Sequence, residues 1–250
     1  MKLAGDVAIL RLNTGKANAI DAALLDKLER FLDNAQDVGA RALVLTGTDP
    51  TFSAGLALPQ LVGLDREGMA AFITRFSDVM LQLYACPLPI VAAVNGHAVA
   101  GGCVLALMAD TRLMTDEPTA KIGLNEVQLG IGLPASVLEP LRAGVPVTSL
   151  RPIALEGRLF TPQQALTLRL VDELCPRAEL DERALKRAQV YAELPPAGYA
   201  QVKAAVRAPV LQAARRNVAE DTERWLDTWF SDGARKRITA LVGKLAGAGA

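Results

Sequence analysis

Between Cys86 and Ala109 the chain carries no Asp, Glu, Lys or Arg. An uncharged run of that length is long enough to cross a bilayer, but Pro87, Pro89, Asn95, Gly96, His97, Gly101 and Gly102 interrupt it, and such breakers mark turns and boundaries. The run therefore divides into a buried strand at Ile90–Val94, a turn at Asn95 and Gly96, and a buried helix opened by Gly101 and Gly102 that reaches Met108. A strand that is apolar on both faces needs cover from both sides. That requirement points to a layered α/β architecture.

The neighbouring segments agree. Val7–Leu12 and Ala42–Leu45 read as strands, and Arg112–Thr115 returns as another. Leu24, Leu25, Leu28, Phe31 and Leu32 recur at helical spacing within a helix over Ile20–Ala35. Phe72, Phe76, Val79 and Leu83 do the same over Glu67–Ala85, where the helix stops because proline disfavours helical geometry in the residue before it. Thr161 and Gln164 have the residue types of a capping box, with Pro162 at the first helical position. Beyond Asp181 only helical patterns remain, punctuated by Pro195, Pro196 and Pro209. These signals divide the chain into an α/β core over residues 1–195 and a helical region over 196–250 whose terminal Gly/Ala tract should fray.

Charge and reactive side chains narrow the chemistry. Lys plus Arg and Asp plus Glu both number 27, so no net field draws the chain to nucleic acid or an anionic membrane. Cys86, Cys103 and Cys175 are odd in number and widely spaced, which suits reduced, buried thiols better than disulfides or a zinc site. His97 is the single histidine; a multi-histidine metal centre is excluded, and any Ser-His or Cys-His mechanism would have to be built on it. The first residues contain neither an apolar signal core nor an Arg/Ser-rich leader, so a cytoplasmic location is expected.

Within Lys121–Gly130 one carboxylate, Glu126, stands among Ile122, Leu124, Val127 and Leu129. Loss of hydration there would raise its pKa toward the range of a general base, whereas the plain alternative is a solvated residue at a helix start. Two glycine-bearing loops, Thr51–Leu58 and Asn95–Gly102, follow apolar strands and lead into helices. The first turn of a helix leaves backbone N–H groups unpaired, so the two could together form an oxyanion hole; alternatively Gly55, Gly101 and Gly102 only permit tight packing. Ser53 and Cys103 have no basic partner evident as nucleophiles, and His97 reads as a structural turn residue.

Taken together, Asn18 and Ala19, Phe52–Gly55, Asn95–Ala98 with Gly101–Cys103, Lys121–Gly130, and the run from Leu155 to Asp172 resemble the crotonase, or enoyl-CoA hydratase/isomerase, superfamily over nearly the whole chain. The resemblance implies a spiral of repeated ββα turns with a helical C-terminal trimerisation region, assembled as a homotrimer or a dimer of trimers. It further implies an acyl-CoA thioester substrate in lipid metabolism, no cofactor beyond the coenzyme A of that substrate, and neither nucleic acid nor membrane as partner. By position, it assigns the two oxyanion donors to the N–H groups of Leu56 and Gly101 and the acid/base to Glu126. The backbone of Ala54, Gly55, Leu56, Ala57 and Leu58 would line the acyl and pantetheine path. Lys16, Ala17 and Asn18 would lie near the adenine, and Asn125 would also touch substrate. Lys244 resembles the basic residue that reaches the CoA phosphates, with a solvated tail lysine as the other reading.

Departures from the family pattern carry the rest. Hydratases of this family hold water with two glutamates; here Val104 takes the place of the first and Glu126 keeps the second, and dienoyl-CoA isomerases carry an aspartate where Val104 stands. The run around Asn125 and Glu126 is particularly similar to that of Δ3,Δ2-enoyl-CoA isomerases, for which one base suffices. Ala57 replaces an aspartate common in the family, which removes a side-chain prop from that loop. Expected, then, is single-glutamate isomerisation of 3-enoyl-CoA to 2-enoyl-CoA. The alternatives are another reaction on the same scaffold, namely thioester hydrolysis, decarboxylation, C–C cleavage or weak hydration, or a non-catalytic acyl-CoA-binding scaffold.

Overall fold

A computed structural model describes residues 1–247; the side chains of Lys16 and Ala246, and residues 248–250 of the tail expected to fray, lie outside the described residues. Elements are numbered along the chain. The larger sheet contains β1 (Lys2–Ala4), β2 (Val7–Arg11), β3 (Ala42–Thr46), β5 (Ile90–Val94), β7 (Thr111–Thr115) and β9 (Glu173–Cys175) in that spatial order. β1 pairs antiparallel with β2, and the other pairs are parallel. A smaller parallel sheet contains β4 (Thr51–Ser53), β6 (His97–Val99) and β8 (Ile122–Gly123).

The helices are α1 (Ala22–Asp37), α2 (Leu58–Leu61), α3 (Arg66–Ala85), α4 (Gly101–Leu107), α5 (Glu126–Leu129) and α6 (Ala135–Gly144). They continue as α7 (Pro162–Thr167), α8 (Arg177–Ala192), α9 (Pro196–Arg215), α10 (Val218–Trp229) and α11 (Asp232–Gly247). From β3 onward each turn places one strand in the large sheet and the next in the small sheet, then runs into helix: β3, β4 and α2–α3; β5, β6 and α4; β7, β8 and α5. This is the spiral of ββα turns that the sequence resemblance implies.

Alternation along the large sheet's strands sends residues to opposite faces. Leu43, Leu45, Ala92 and Val94 join the main core with α1 and α3, while Val44, Val91, Ala93 and Leu113 pack beneath Leu180, Ala184 and Ala188 of α8. The main core also takes in Leu226, Trp229, Ala234 and Ile238 from α10 and α11. α9 is fastened by charge: buried Lys203 donates to Asp110 Oδ2 at 2.6 Å and to the Leu88 carbonyl at 2.7 Å, and buried Arg207 donates to Asp110 Oδ1 at 2.7 Å.

The capping box expected at Thr161 forms in both directions, Thr161 N–H to Gln164 Oε1 at 3.0 Å and Gln164 N–H to Thr161 Oγ1 at 3.4 Å. Two expectations need correction. The helix expected from Ile20 begins at Ala22, because the Asp21 carboxylate accepts the Leu24 N–H at 2.9 Å as the N-cap, leaving Ile20 in a parallel bridge with Leu56. The stretches at 51–58 and 95–102 are not loops throughout, since Thr51–Ser53 and His97–Val99 are strands of the small sheet. None of the described helices is long and apolar enough to cross a membrane.

Candidate active site

The small sheet brings two chain reversals together. After β4, the Gly55 backbone turns with φ +85, and after β6, Ala100 turns with φ 52 and ψ −123 into α4. Their approach is so close that a Cβ on Gly55 would lie 2.8 Å from the Val99 carbonyl oxygen and 3.0 Å from the Gly101 nitrogen, and one on Gly101 would lie 3.5 Å from the Leu56 nitrogen. Glycine at position 55 is therefore a steric requirement, whereas a Cβ on Gly101 would press chiefly on the Ile20 Cδ1 at 3.0 Å. Gly102 serves the same packing one residue on, where a Cβ would meet the Ser53 carbonyl oxygen at 2.1 Å.

Among the described residues, neither the Leu56 nor the Gly101 N–H is matched to an intramolecular acceptor. Gly101 is the first residue of α4, so its N–H is one of the helix's orphan donors. Leu56, Ala100 and Gly101 all line one cavity of about 700 Å³ that also holds Glu126 and Val104. Two unpaired donors a few ångströms apart on an apolar cavity suit an oxygen on which negative charge develops.

The loop bearing Leu56 lacks the aspartate prop at Ala57 but has backbone ones. Ile20 N–H donates to the Gly55 carbonyl at 2.7 Å, Ala57 N–H to the Ile20 carbonyl at 3.0 Å, and Ala54 N–H to the Ala17 carbonyl at 3.0 Å. Beneath it, the Asn18 carboxamide donates to the Thr51 and Phe52 carbonyls at 3.1 and 3.2 Å, and Ser53 Oγ donates to the Asn18 carbonyl at 2.7 Å. Asn18 is consequently buried and its side chain is committed inward, while Gly15, Ala17 and Ala19 of that segment line the cavity.

Glu126 is the first residue of α5, reached from the edge strand β8. Its Oε2 is closed off from solvent and has no hydrogen-bond partner among the described residues, while the accessible part of the side chain lines the cavity. Burial pushes its pKa up from 4.5 to about 7, against a smaller lowering by its own backbone N–H. The surroundings differ from those expected at one residue: Val127 is 44 % exposed, whereas Ile122 and Leu124 are buried. Leu129 lines the cavity as expected, and further apolar lining comes from Val104, Ile131 and Leu133 and from Val137 on α6. Burial likewise raises the Cys103 thiol far above its usual range, so it is no nucleophile.

Of the remaining expected residues, Ala54, Leu56, Ala57, Leu58, Gly101 and Asn125 line the cavity. Asn125 Oδ1 is, like Glu126 Oε2, buried and unpartnered. Lys244 is exposed on the last turn of α11, beside the cavity-lining Leu245, and the expectation for Lys16 falls on a side chain outside the described residues. Asp21 also lines the cavity, yet its oxygens accept from Leu24 N–H at 2.9 Å and from Gln60 Nε2 at 3.3 Å. Half-buried His97 lines the cavity, and its backbone N–H donates to the Pro50 carbonyl at 3.0 Å. The part of the site that sequence reasoning missed is the lining by Trp225 of α10 and by Leu241, Val242 and Leu245 of α11.

Residues 3–246 match the enoyl-CoA hydratase/isomerase family model. The chain is 28 % identical to the human mitochondrial enoyl-CoA delta isomerase 1 over 241 residues, covering 96 % of this chain and 80 % of that protein. It is equally 28 % identical, over 240 residues, to the mitochondrial enoyl-CoA hydratase of Pongo abelii, covering 95 % and 81 %. In three dimensions it is similar to the crystal structure of human mitochondrial delta3-delta2-enoyl-CoA isomerase, with a TM-score of 0.91, 28 % identity, and coverage of 97 % and 95 %.

Proposed function

The chain belongs to the enoyl-CoA hydratase/isomerase family, and from that premise we propose that it converts 3-enoyl-CoA thioesters to 2-enoyl-CoA with Glu126 as the sole proton carrier. One observation carries this reading: Glu126 keeps a free, buried oxygen in the same cavity where Val104, 1 % exposed, stands in place of a second acid. Adding water across a double bond calls for groups that position and activate it. Moving a double bond calls for one base that removes a proton and returns it elsewhere.

In the proposed reaction Glu126 takes a proton from C2, and the electron pair of that C–H bond delocalises onto the thioester oxygen as a dienolate. The N–H groups of Leu56 and Gly101 hold that oxygen, each contributing on the order of 3 kcal/mol at the transition state. The protonated Glu126 then delivers the proton to C4 as the C3–C4 double bond shifts to C2–C3. The backbone of Ala54–Leu58, with Asn125, would border the thioester, the segment of Lys16 would lie near the adenine, and Lys244 would meet the coenzyme's phosphates. Association into trimers and a cytoplasmic location complete the reading.

The similarity to hydratases at the same identity as to an isomerase makes hydration the competing activity. Glu126→Gln, assayed with 3-enoyl-CoA by growth of conjugated-enoyl absorbance, should lose roughly 10²–10⁴-fold in turnover while still binding a saturated acyl-CoA. Turnover at the parental rate would remove Glu126 from the mechanism. Faster addition of water to 2-enoyl-CoA than isomerisation of 3-enoyl-CoA by the unmodified protein would favour the hydratase instead.

A further inference from the structure

We infer that Trp225 is the specificity-determining stop of the acyl pocket, so that this protein takes unbranched aliphatic acyl chains only up to the length at which the chain end meets that indole. The inference rests on the acyl-thioester reading of the cavity. Trp225 lines the cavity from α10, some hundred positions along the chain from Glu126, and is 5 % exposed. Its one polar group is already used, since Nε1–H donates to the Gly132 carbonyl at 3.0 Å. Only hydrocarbon edge and face are left to offer a ligand.

The indole is also fixed in place. It stacks on Trp229, with centroids 5.4 Å apart and planes 21° from parallel, and Trp229 is fully buried. Thr228 Oγ1 accepts the Gly132 N–H at 2.9 Å and donates to the Trp225 carbonyl at 2.7 Å, so the 131–133 wall and α10 are joined on both sides of the ring. A stacked pair held at both ends cannot swing aside as a single flexible side chain would. In the same cavity, Ile73, Phe76, Leu133 and Val137 supply further apolar surface and no hydrogen-bonding side chain. A chain ending in a carboxylate would lose its hydration there without compensation.

Isothermal titration of saturated straight-chain acyl-CoAs from four to sixteen carbons tests this, because these ligands bind without reacting. Affinity should rise about fourfold for each buried methylene and then stop rising at a defined length. In Trp225→Leu the break should move at least two carbons longer. The unmodified protein provides a second readout, since Trp225 and Trp229 are its only tryptophans: emission should shift to shorter wavelength only for chains near the break length. An unmoved break in a folded Trp225→Leu, or an emission shift that is absent or the same at every length, overturns the role of Trp225. Failure of every acyl-CoA to bind overturns the thioester reading itself, and the inference with it.

Discussion

Gly55 and Gly101 touch backbone to backbone: a single methyl group added to Gly55 would stand 3.0 Å from the Gly101 nitrogen and 2.9 Å from the Ala100 Cβ. The pair fixes the separation of the Leu56 and Gly101 amides, so the spacing of the two donors is set by what Gly55 lacks.

Gly55→Ala should therefore separate the donors as well as strain a residue whose φ is +85. Loss or misplacement of one oxyanion donor costs roughly 10²–10³ in turnover. We expect a fall of that size in kcat for 3-enoyl-CoA, with the pH profile unchanged because Glu126 is untouched. A kcat within threefold of the parent, measured on folded protein, would detach the 55–101 contact from catalysis.

Glu126 gives the clearest pH signature. With its pKa near 7 in the folded chain and 4.5 as the ordinary value, the base is protonated on the acid side and kcat/KM should fall tenfold per pH unit below about 7. The linkage runs the other way from that of a salt-bridged carboxylate. The folded state holds the proton more tightly, so ionising Glu126 costs stability progressively from about pH 4.5 to 7, and the full cost, at most roughly 3 kcal/mol, is present above that window. Glu126→Gln should thus raise the melting temperature at pH 8 and change it little at pH 4. Equal shifts at both pH values would mean that Glu126 is not desolvated.

Some of this was readable from residues alone, and the reasons are local. Ile90–Val94 and the Thr161 capping box announce themselves within a few positions, by apolar content and by paired cap residues. The small sheet does not, because strands of two or three residues such as Thr51–Ser53 and Ile122–Gly123 are too short for alternation to register. Glu126 was identifiable as an isolated acid, but its sequence neighbour Val127 is exposed, and Val104 and Val137, which line the same cavity, come from helices that sequence spacing cannot place. Asn18 reads as a loop residue near a ligand; only the long-range bonds to Thr51 and Phe52 disclose that it is a clamp.

The seam between α9 and the core depends on one carboxylate. Asp110 stands against both Lys203 and Arg207, whose side chains are 6 % and 9 % exposed, and Arg207 also lies 4.1 Å from the Tyr84 ring centroid. Asp110→Asn leaves two buried cations without a counter-charge, a change that costs about 3–5 kcal/mol. Thermal unfolding should begin roughly 10 °C lower. A decrease under 3 °C would show that water reaches the cluster.

Ala100 is where stability and catalysis pull apart. Its φ of 52 with ψ of −123 is a conformation that L-residues avoid, and the Ala100 N–H is held by the Gly123 carbonyl at 2.8 Å while its own carbonyl accepts the Val104 N–H at 3.0 Å. Such a residue costs about 1–3 kcal/mol, and it immediately precedes the Gly101 donor. Glycine would relieve the strain but regain conformational freedom when unfolded, leaving a net gain of about 1 kcal/mol. Ala100→Gly should then melt roughly 2–4 °C higher. Its Gly101 amide would be less firmly aimed, and kcat should drop severalfold with KM little altered, since the interaction lost is made chiefly in the transition state. A variant that is both more stable and equally active would mean that the strain at Ala100 does nothing for the oxyanion site.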